Sequence, residues 1–477
     1  MPPVMNALEC RARRAADTRH SILDKGEFSP GHGKAYTIRR FDRNVCRAGI
    51  RAREGECSMS QILFLGARVW DASGAAPFDA DVLVEGSRIS TVARAPGQLS
   101  AAGCKVIPAK GMTLMPGLVE GHAHLSFEAV TATEDLISPP PEEHTLLTAR
   151  SAKVLLDHGF TSAYGASAAK LRLDVAVRNE VDAGRLPGPR IRAGSVEITV
   201  TAGLGDESRL HNVRNAPSLV VDGPDEMRRA VRLCCREGCD NIKLDVSGDP
   251  FYPNTPSTST PMSLEEIRVA VETAHSLGRN VNAHARSITS IQHCLRAGVD
   301  VLYHCEHTDE ETLDMLEEAK DRIFVAPTVS LLHTLLYEAS PWVTPEVARA
   351  MRIDELLEAS KQTHTELRRR GIRHVIGGDY GFAWSRQGTN ARDVGFFVDY
   401  FGYTPAEALC CATRHGGALM TMRSGDKLGE VKEGYLADLL LVDGDPLADV
   451  STLLSPDHFV VIMKGGQIYK DGEQYAS

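Results

Sequence analysis

The sequence predicts an α/β protein, a (β/α)8 TIM-like barrel inserted in a small composite β-sandwich domain. Three observations carry that prediction. Residues 112–422 alternate short apolar strands with amphipathic helical stretches, strand-rich segments at 59–111 and 423–477 flank them, and imidazoles recur at the strand ends. At 477 residues the chain exceeds a usual single domain, so a large domain with a smaller companion suits its length.

Residues 1–58 contain ten Arg, two Lys, three Cys and few apolar residues, with no periodicity, and are expected to be a disordered extension. They lack the apolar segment of a secretory signal, and the acids Glu9, Asp17, Asp24 and Glu27 argue against an organellar transit peptide. Met59 stands just before the first clear strand, Ile62-Leu-Phe-Leu-Gly. A protein beginning at Met59 is therefore expected to fold, bind metal and turn over like the full chain; lost solubility or activity on truncation would refute this.

From Ile62 to about Lys110, short strands alternate with turns: Ala67-Arg-Val-Trp-Asp, Asp81-Val-Leu-Val-Glu-Gly-Ser-Arg-Ile and Lys105-Val-Ile-Pro. The pattern returns near the other end in Ala437-Asp438-Leu-Leu-Leu-Val-Asp443 and Val460-Val-Ile-Met-Lys-Gly-Gly-Gln-Ile-Tyr. Chain ends usually lie close together, so the two segments are expected to pair in one sandwich.

The middle opens with Leu114-Met-Pro-Gly-Leu-Val-Glu-Gly-His122-Ala-His124, an apolar strand ending in two imidazoles. Strand side chains repeat every two residues, so His122 and His124 project to one side and can close on one ion. Further candidate strands are Thr161-Ser-Ala-Tyr, Arg190-Ile-Arg-Ala, Asn241-Ile-Lys-Leu-Asp, Asn280-Val-Asn-Ala-His, Val301-Leu-Tyr-His, Ile323-Phe-Val-Ala-Pro and His374-Val-Ile-Gly-Gly-Asp. Helical stretches such as Leu264-Glu-Glu-Ile-Arg-Val-Ala-Val-Glu-Thr-Ala and Glu310-Glu-Thr-Leu-Asp-Met-Leu lie between them.

Composition narrows the function classes. A net charge of -10 and a pI near 6.0 give no support for nucleic-acid or anionic-membrane partners, which call for clustered basic surface. No run of 18 apolar residues is present. The 11 Cys form no C-x-x-C pair; the adjacent pairs Cys234-Cys235 and Cys410-Cys411 read as buried thiols in helices, and a reducing, cytoplasmic setting is expected.

Active-site residues of a (β/α)8 barrel sit at C-terminal strand ends. By that rule His122 and His124, Lys243, His284, His304 and Asp379 converge from five strands on one mouth. Neutral imidazoles and a carboxylate are the ligands of a catalytic zinc site. A lysine ammonium is no ligand, but reaction with CO₂ gives an anionic carbamate whose two oxygens can span two cations. Asp379 is suited to carry a proton from the attacking water to a leaving nitrogen.

These residues, with Gly377-Gly-Asp379 and the late Leu428-Gly-x-Val-x-x-Gly434-x-x-Ala-Asp438-Leu-Leu-Leu-Val-Asp443 stretch, resemble the metal-dependent amidohydrolase superfamily over roughly residues 60–470. The likeness is to its binuclear branch with a carboxylated lysine, which includes prolidase-like, ochratoxin-hydrolysing and molinate-hydrolysing members. The resemblance implies that His122, His124 and Asp379 hold one divalent ion, His284 and His304 the other, and a Lys243 carbamate bridges them. Zinc is the implied metal; the ligand types also admit Mn or Co. Also implied are a homo-oligomer and hydrolysis of an amide, carbamate or urea C–N bond by a metal-bridging hydroxide.

Prolidase-like relatives carry Gly-Gly-His-Gly after the third strand, where this chain has Thr201-Ala-Gly-Leu204-Gly-Asp206. Leu204 replaces a polar contact, which favours a less polar small-molecule substrate. Xaa-Pro dipeptidase-like or N-acyl amino-acid hydrolysis and cyclic imide or lactam opening are the alternatives. His211, His307, Tyr303, Tyr380 and Trp384 are candidate pocket residues, and Tyr380-Gly-Phe-Ala-Trp384 offers an aromatic wall beside Asp379.

Overall fold

The computed structural model describes residues 61–208, 211, 217–252 and 254–472, and the expected disordered extension lies outside them. The two strand-rich flanks meet in one mixed sheet of eight strands. Its centre is the pairing of Leu439–Val442 antiparallel to Thr113–Pro116, with Leu440 opposite Met115. Gln61–Val69 continues the sheet on one side, and Phe459–Lys464 with Gln467–Asp471 on the other. Alternation explains the two faces: Phe64, Val82, Val84, Leu439, Leu441 and Val461 share one core cluster. The ladders form one continuous sheet rather than the two facing sheets that a sandwich requires.

Between the flanks, parallel strands alternate with helices, as the sequence predicts. Leu118–Ala123, Phe160–Gly165 and Arg190–Arg192 form one parallel sheet. Ser218–Val220, Gly194–Thr199, Asn241–Asp245, Asn280–Ala285, Val301–His304 and Phe324–Ala326 form a second. The central strands are buried throughout, and Ile242, Leu244, Val281, Ala283, Leu302 and Val325 pack with the surrounding helices in one core cluster. The helix Leu264–Ser276 starts where the sequence reading places it. Ser263 accepts from the Glu266 amide and the Glu266 side chain returns to the Ser263 amide, a capping box whose loss costs about 1 kcal/mol.

The hydrogen-bond ladders do not close into a barrel. The predicted eighth strand, His374 to Asp379, makes one parallel bridge to Val325, and Gly121 donates to Ile376 O at 2.9 Å. At its end Asp379 adopts a left-handed φ of 61° and turns the chain out of the strand direction. The cysteines among the described residues are free, Cys234 and Cys411 fully buried. None of the described helices is long and apolar enough to cross a membrane.

Candidate metal centre and substrate cavity

His122 and His124 stand at the end of Leu118–Ala123 with ring centroids 4.9 Å apart, as the two-residue period requires. Glycines on both sides of the contact bring Asp379 to them. A Cβ at Gly121 would lie 2.6 Å from Ile376 O, and one at Gly377 would lie 2.6 Å from His122 Cβ. Only backbone without side chains lets the two segments approach this closely. Asp379 Oδ1 then sits 3.1 Å from His124 Nε2 and 3.8 Å from His122 Nε2. Ligating atoms of these three residues lie within 4.8 Å of one another, the one such cluster of three among the described residues.

His284 and His304 stand beside them. Their ring centroids are 4.2 Å apart, and His304 lies 5.7 Å from His122. Lys243 is buried close by, its Nζ 5.4 Å from the Tyr303 ring, which stacks on His122. The ammonium faces acids as well as imidazoles: Asp245 Oδ1 is at 3.7 Å and Glu197 Oε1 at 4.0 Å.

The donor set fits divalent metal. Metal-binding imidazoles characteristically spend one ring nitrogen on an outer partner and present the other. Here His124 Nδ1 contacts Ser167 O at 3.1 Å, and His284 Nε2 contacts Gly248 O at 3.1 Å. His304 Nδ1 meets Thr328 Oγ1 at 2.6 Å, and because that hydroxyl donates to Pro327 O it accepts from the ring, which leaves His304 Nε2 with its lone pair. His122 is buried with no partner at either nitrogen, an arrangement that costs free energy unless something is bound there. Burial lowers the proton affinity of His122, His284 and His304 well below the ordinary imidazole range, so all three are neutral imidazoles at neutral pH. Burial alone would raise the Asp379 carboxyl, but the neighbouring His122 and His124 rings and the Lys243 charge hold it well below the usual carboxylate range.

Beneath the cluster lies a carboxyl pair that sequence reasoning missed. Glu120 accepts from the His122 amide at 3.0 Å and from Asn390 at 2.8 Å. Asp393 accepts from the Gly377 amide at 2.9 Å and from the Tyr380 hydroxyl at 3.2 Å. Burial, with the Asp393 charge, pushes Glu120 up to about 8, and burial pushes Asp393 up to about 7. The one sequence signal was an acid inside an otherwise apolar strand, two residues before His122. A second missed set is Arg286, whose buried guanidinium donates to Asp249 at 3.0 Å and to Glu306, just behind His284 and His304.

The cluster opens on a cavity of about 700 Å³. One wall is aromatic: Phe127 stacks on His124 at 4.4 Å, Phe382 meets Phe127 edge-on at 6.2 Å, and Trp384 stacks on Phe382 at 5.4 Å. Leu204 also lines it, and Glu197, Glu207 and Tyr252 form the polar side, with Tyr252 donating to Glu207 at 2.8 Å. Trp384 is therefore among the residues that line the cavity. Tyr380 is not: it is fully buried and turned toward Asp393 and the Asn390 carbonyl, because the left-handed Asp379 reverses the chain. His307 is likewise outside the lining, since left-handed His304 and Cys305 turn the chain back so that the His307 amide bonds Arg286 O. Tyr303 packs under His122, outside the lining, and exposed His211 does not line the cavity either.

The amidohydrolase family profile matches residues 113–469. Ochratoxinase of Aspergillus niger is 28% identical over 381 residues, 75% of each chain. A solved amidohydrolase superposes with a TM-score of 0.77 at 26% identity, over 86% of this chain and 99% of its own. A Xaa-Pro dipeptidase with methionine in its active site gives 0.77 at 25% identity, over 86% and 100%.

Proposed function

Because the chain belongs to the amidohydrolase family, we propose that it is a divalent-metal hydrolase cleaving an amide-type C–N bond in a small, partly aromatic substrate. The observation that carries this is the His122, His124 and Asp379 cluster at the foot of a cavity with an aromatic wall. The parallel strands and helices of 112–422 are read as a (β/α)8 barrel, with all the ligand positions at one end of it. His122, His124 and Asp379 would hold one ion and His284 and His304 a second, with a carbamate on Lys243 between them. Bound divalent metal supplies Lewis acidity, lowering the pKa of water and polarising a carbonyl.

The remaining work falls to the chain itself. Asp379, ionised and open to the cavity through a side chain 14% exposed, takes the proton of the attacking water and passes it to the leaving nitrogen. Ser167, Gly248 and Thr328 hold the imidazoles in their tautomers. Phe127, Phe382 and Trp384 take the apolar part of the substrate and exclude water from it. Peptide bonds remain within the substrate class, given the likeness to a Xaa-Pro dipeptidase.

A second reading has its own observation. Asp245 and Glu197 flank Lys243 as they would a free ammonium, which suits a single ion on His122, His124 and Asp379. Metal analysis, with metal-loaded protein assayed on anilides, carbamates, phenylureas, N-acyl amino acids and Xaa-Pro dipeptides, tests both. Hydrolysis abolished by a chelator is expected; full activity in metal-free protein would refute the proposal. Among active substrates, Trp384→Ala is expected to raise KM for aryl compounds about 10-fold, the scale of one aromatic contact with its burial, while kcat moves less. An unchanged KM would remove Trp384 from the substrate wall.

A further inference from the structure

Behind His304 runs a buried line of hydrogen bonds that the proposed reaction does not use. His364, on the helix Ile353–Arg369, places Nε2 2.7 Å from His304 O. Its Nδ1 is 3.0 Å from His374 Nε2, and His374 Nδ1 is 2.7 Å from the Tyr403 hydroxyl. Both imidazoles are fully buried, and Tyr403 is 8% exposed. Chemistry sets the direction of every bond. A carbonyl only accepts, so His364 Nε2 carries the hydrogen, and the neutral ring then has a bare Nδ1. His374 must donate to it from Nε2, and Tyr403 in turn must donate to His374 Nδ1. Neither ring has a carboxylate partner among the described residues, and both are fully buried, where a charge without a partner is costly.

The two ends of this line matter. His304 has a left-handed φ of 75°, a strained conformation for a non-glycine residue that persists only where the surroundings hold it. His374 opens the segment that ends in Asp379, and the His415 ring contacts its carbonyl at 2.9 Å. The line thus ties the segment carrying Asp379 to the strained backbone carrying His304. We infer that His364, His374 and Tyr403 form a one-directional hydrogen-bond relay that positions His304, and through it the second metal, relative to Asp379. His364 is a positioning residue, since it touches neither the cavity nor substrate. The role in metal binding rests on the reading of His304 as a ligand; the relay itself does not.

Three measurements on the full chain test this. In His364→Phe the donor is lost, whereas in His364→Gln the carboxamide can donate from Nε2 and accept at Oε1. Expected is a loss of about 10-fold or more in retention of one metal by His364→Phe against a chelator, the scale of an outer-contact loss. kcat should fall with little change in KM, and His364→Gln should recover most of both. Wild-type retention in His364→Phe, or a folded His364→Gln as defective as Phe, would overturn the relay's positioning role. Nitrogen-15 imidazole NMR of the metal-free wild type needs no variant to fold: both rings should be Nε2–H tautomers, and an Nδ1–H on either would overturn the relay. A wild type that shows these tautomers but binds only one metal, or none, would refute the binuclear reading and the positioning role with it, leaving the hydrogen-bond line standing.

Discussion

Asp379→Asn is expected to keep much of the metal while kcat falls by at least about 10²-fold, the scale of general acid–base catalysis, with KM less affected. Asn preserves the size of Asp379 and one ligand oxygen, so the contact with His124, 3.1 Å in the native protein, has a successor. What it loses is the ability to accept a proton and return it. The native carboxyl is held ionised despite burial, so an unprotonated oxygen borders the cavity at neutral pH. Metal content and steady-state rates on the same preparation separate the two roles. Near-native kcat with full metal would move proton transfer to another group, and Glu197, which also lines the cavity, would be the next to substitute.

Lys243→Ala is expected to abolish measurable hydrolysis, roughly 10²-fold or more, and to lose at least one metal per chain. Small carboxylates in the buffer should partly restore both by filling the vacated position, and metal-free protein should regain activity faster with bicarbonate than in CO₂-depleted buffer. A free ammonium among metal ligands would repel the ions they bind, whereas a carbamate reverses that charge. The surroundings ease the reversal: burial raises the proton affinity of the adjacent Asp245 carboxyl, so protonation there can offset a negative neighbour. Lys243→Ala with two metals and normal rates would sink the bridge. A variant that keeps one metal and partial activity, without response to carboxylates, would favour the ammonium reading and a single ion on His122, His124 and Asp379.

Much of the site was legible because the governing rules are local. Burial on both faces makes parallel strands read as short apolar runs, and the βα alternation of 112–422 follows from them. Non-local pairing was less so. Leu440 opposite Met115 is a contact between residues more than 300 positions apart, so the pattern identifies each as a strand without settling whether they join one sheet or two. The segment from His374 to Asp379 reads as a full strand, yet it makes a single bridge because its glycines serve close approach to His122 rather than a ladder.

The sequence by itself determined that His122 and His124 share one side of a strand end, that imidazoles, a lysine and an aspartate end successive strands, and that an aromatic run follows Asp379. The two-residue period and the strand-to-helix order are properties of neighbouring residues, and they need no knowledge of the rest of the molecule. Only the tertiary structure decided which side chains of that run face the cavity, placing Trp384 in its wall and Tyr380 against Asp393. It alone placed Glu120 and Asp393 under the histidine cluster and Asp245 and Glu197 against Lys243. The reason is that the deciding turns occur at His304, Cys305 and Asp379, non-glycine residues in left-handed backbone. Local preference is too weak to select that conformation; it is held by contacts from distant segments, so the directions of the side chains that follow exist only once those segments have packed.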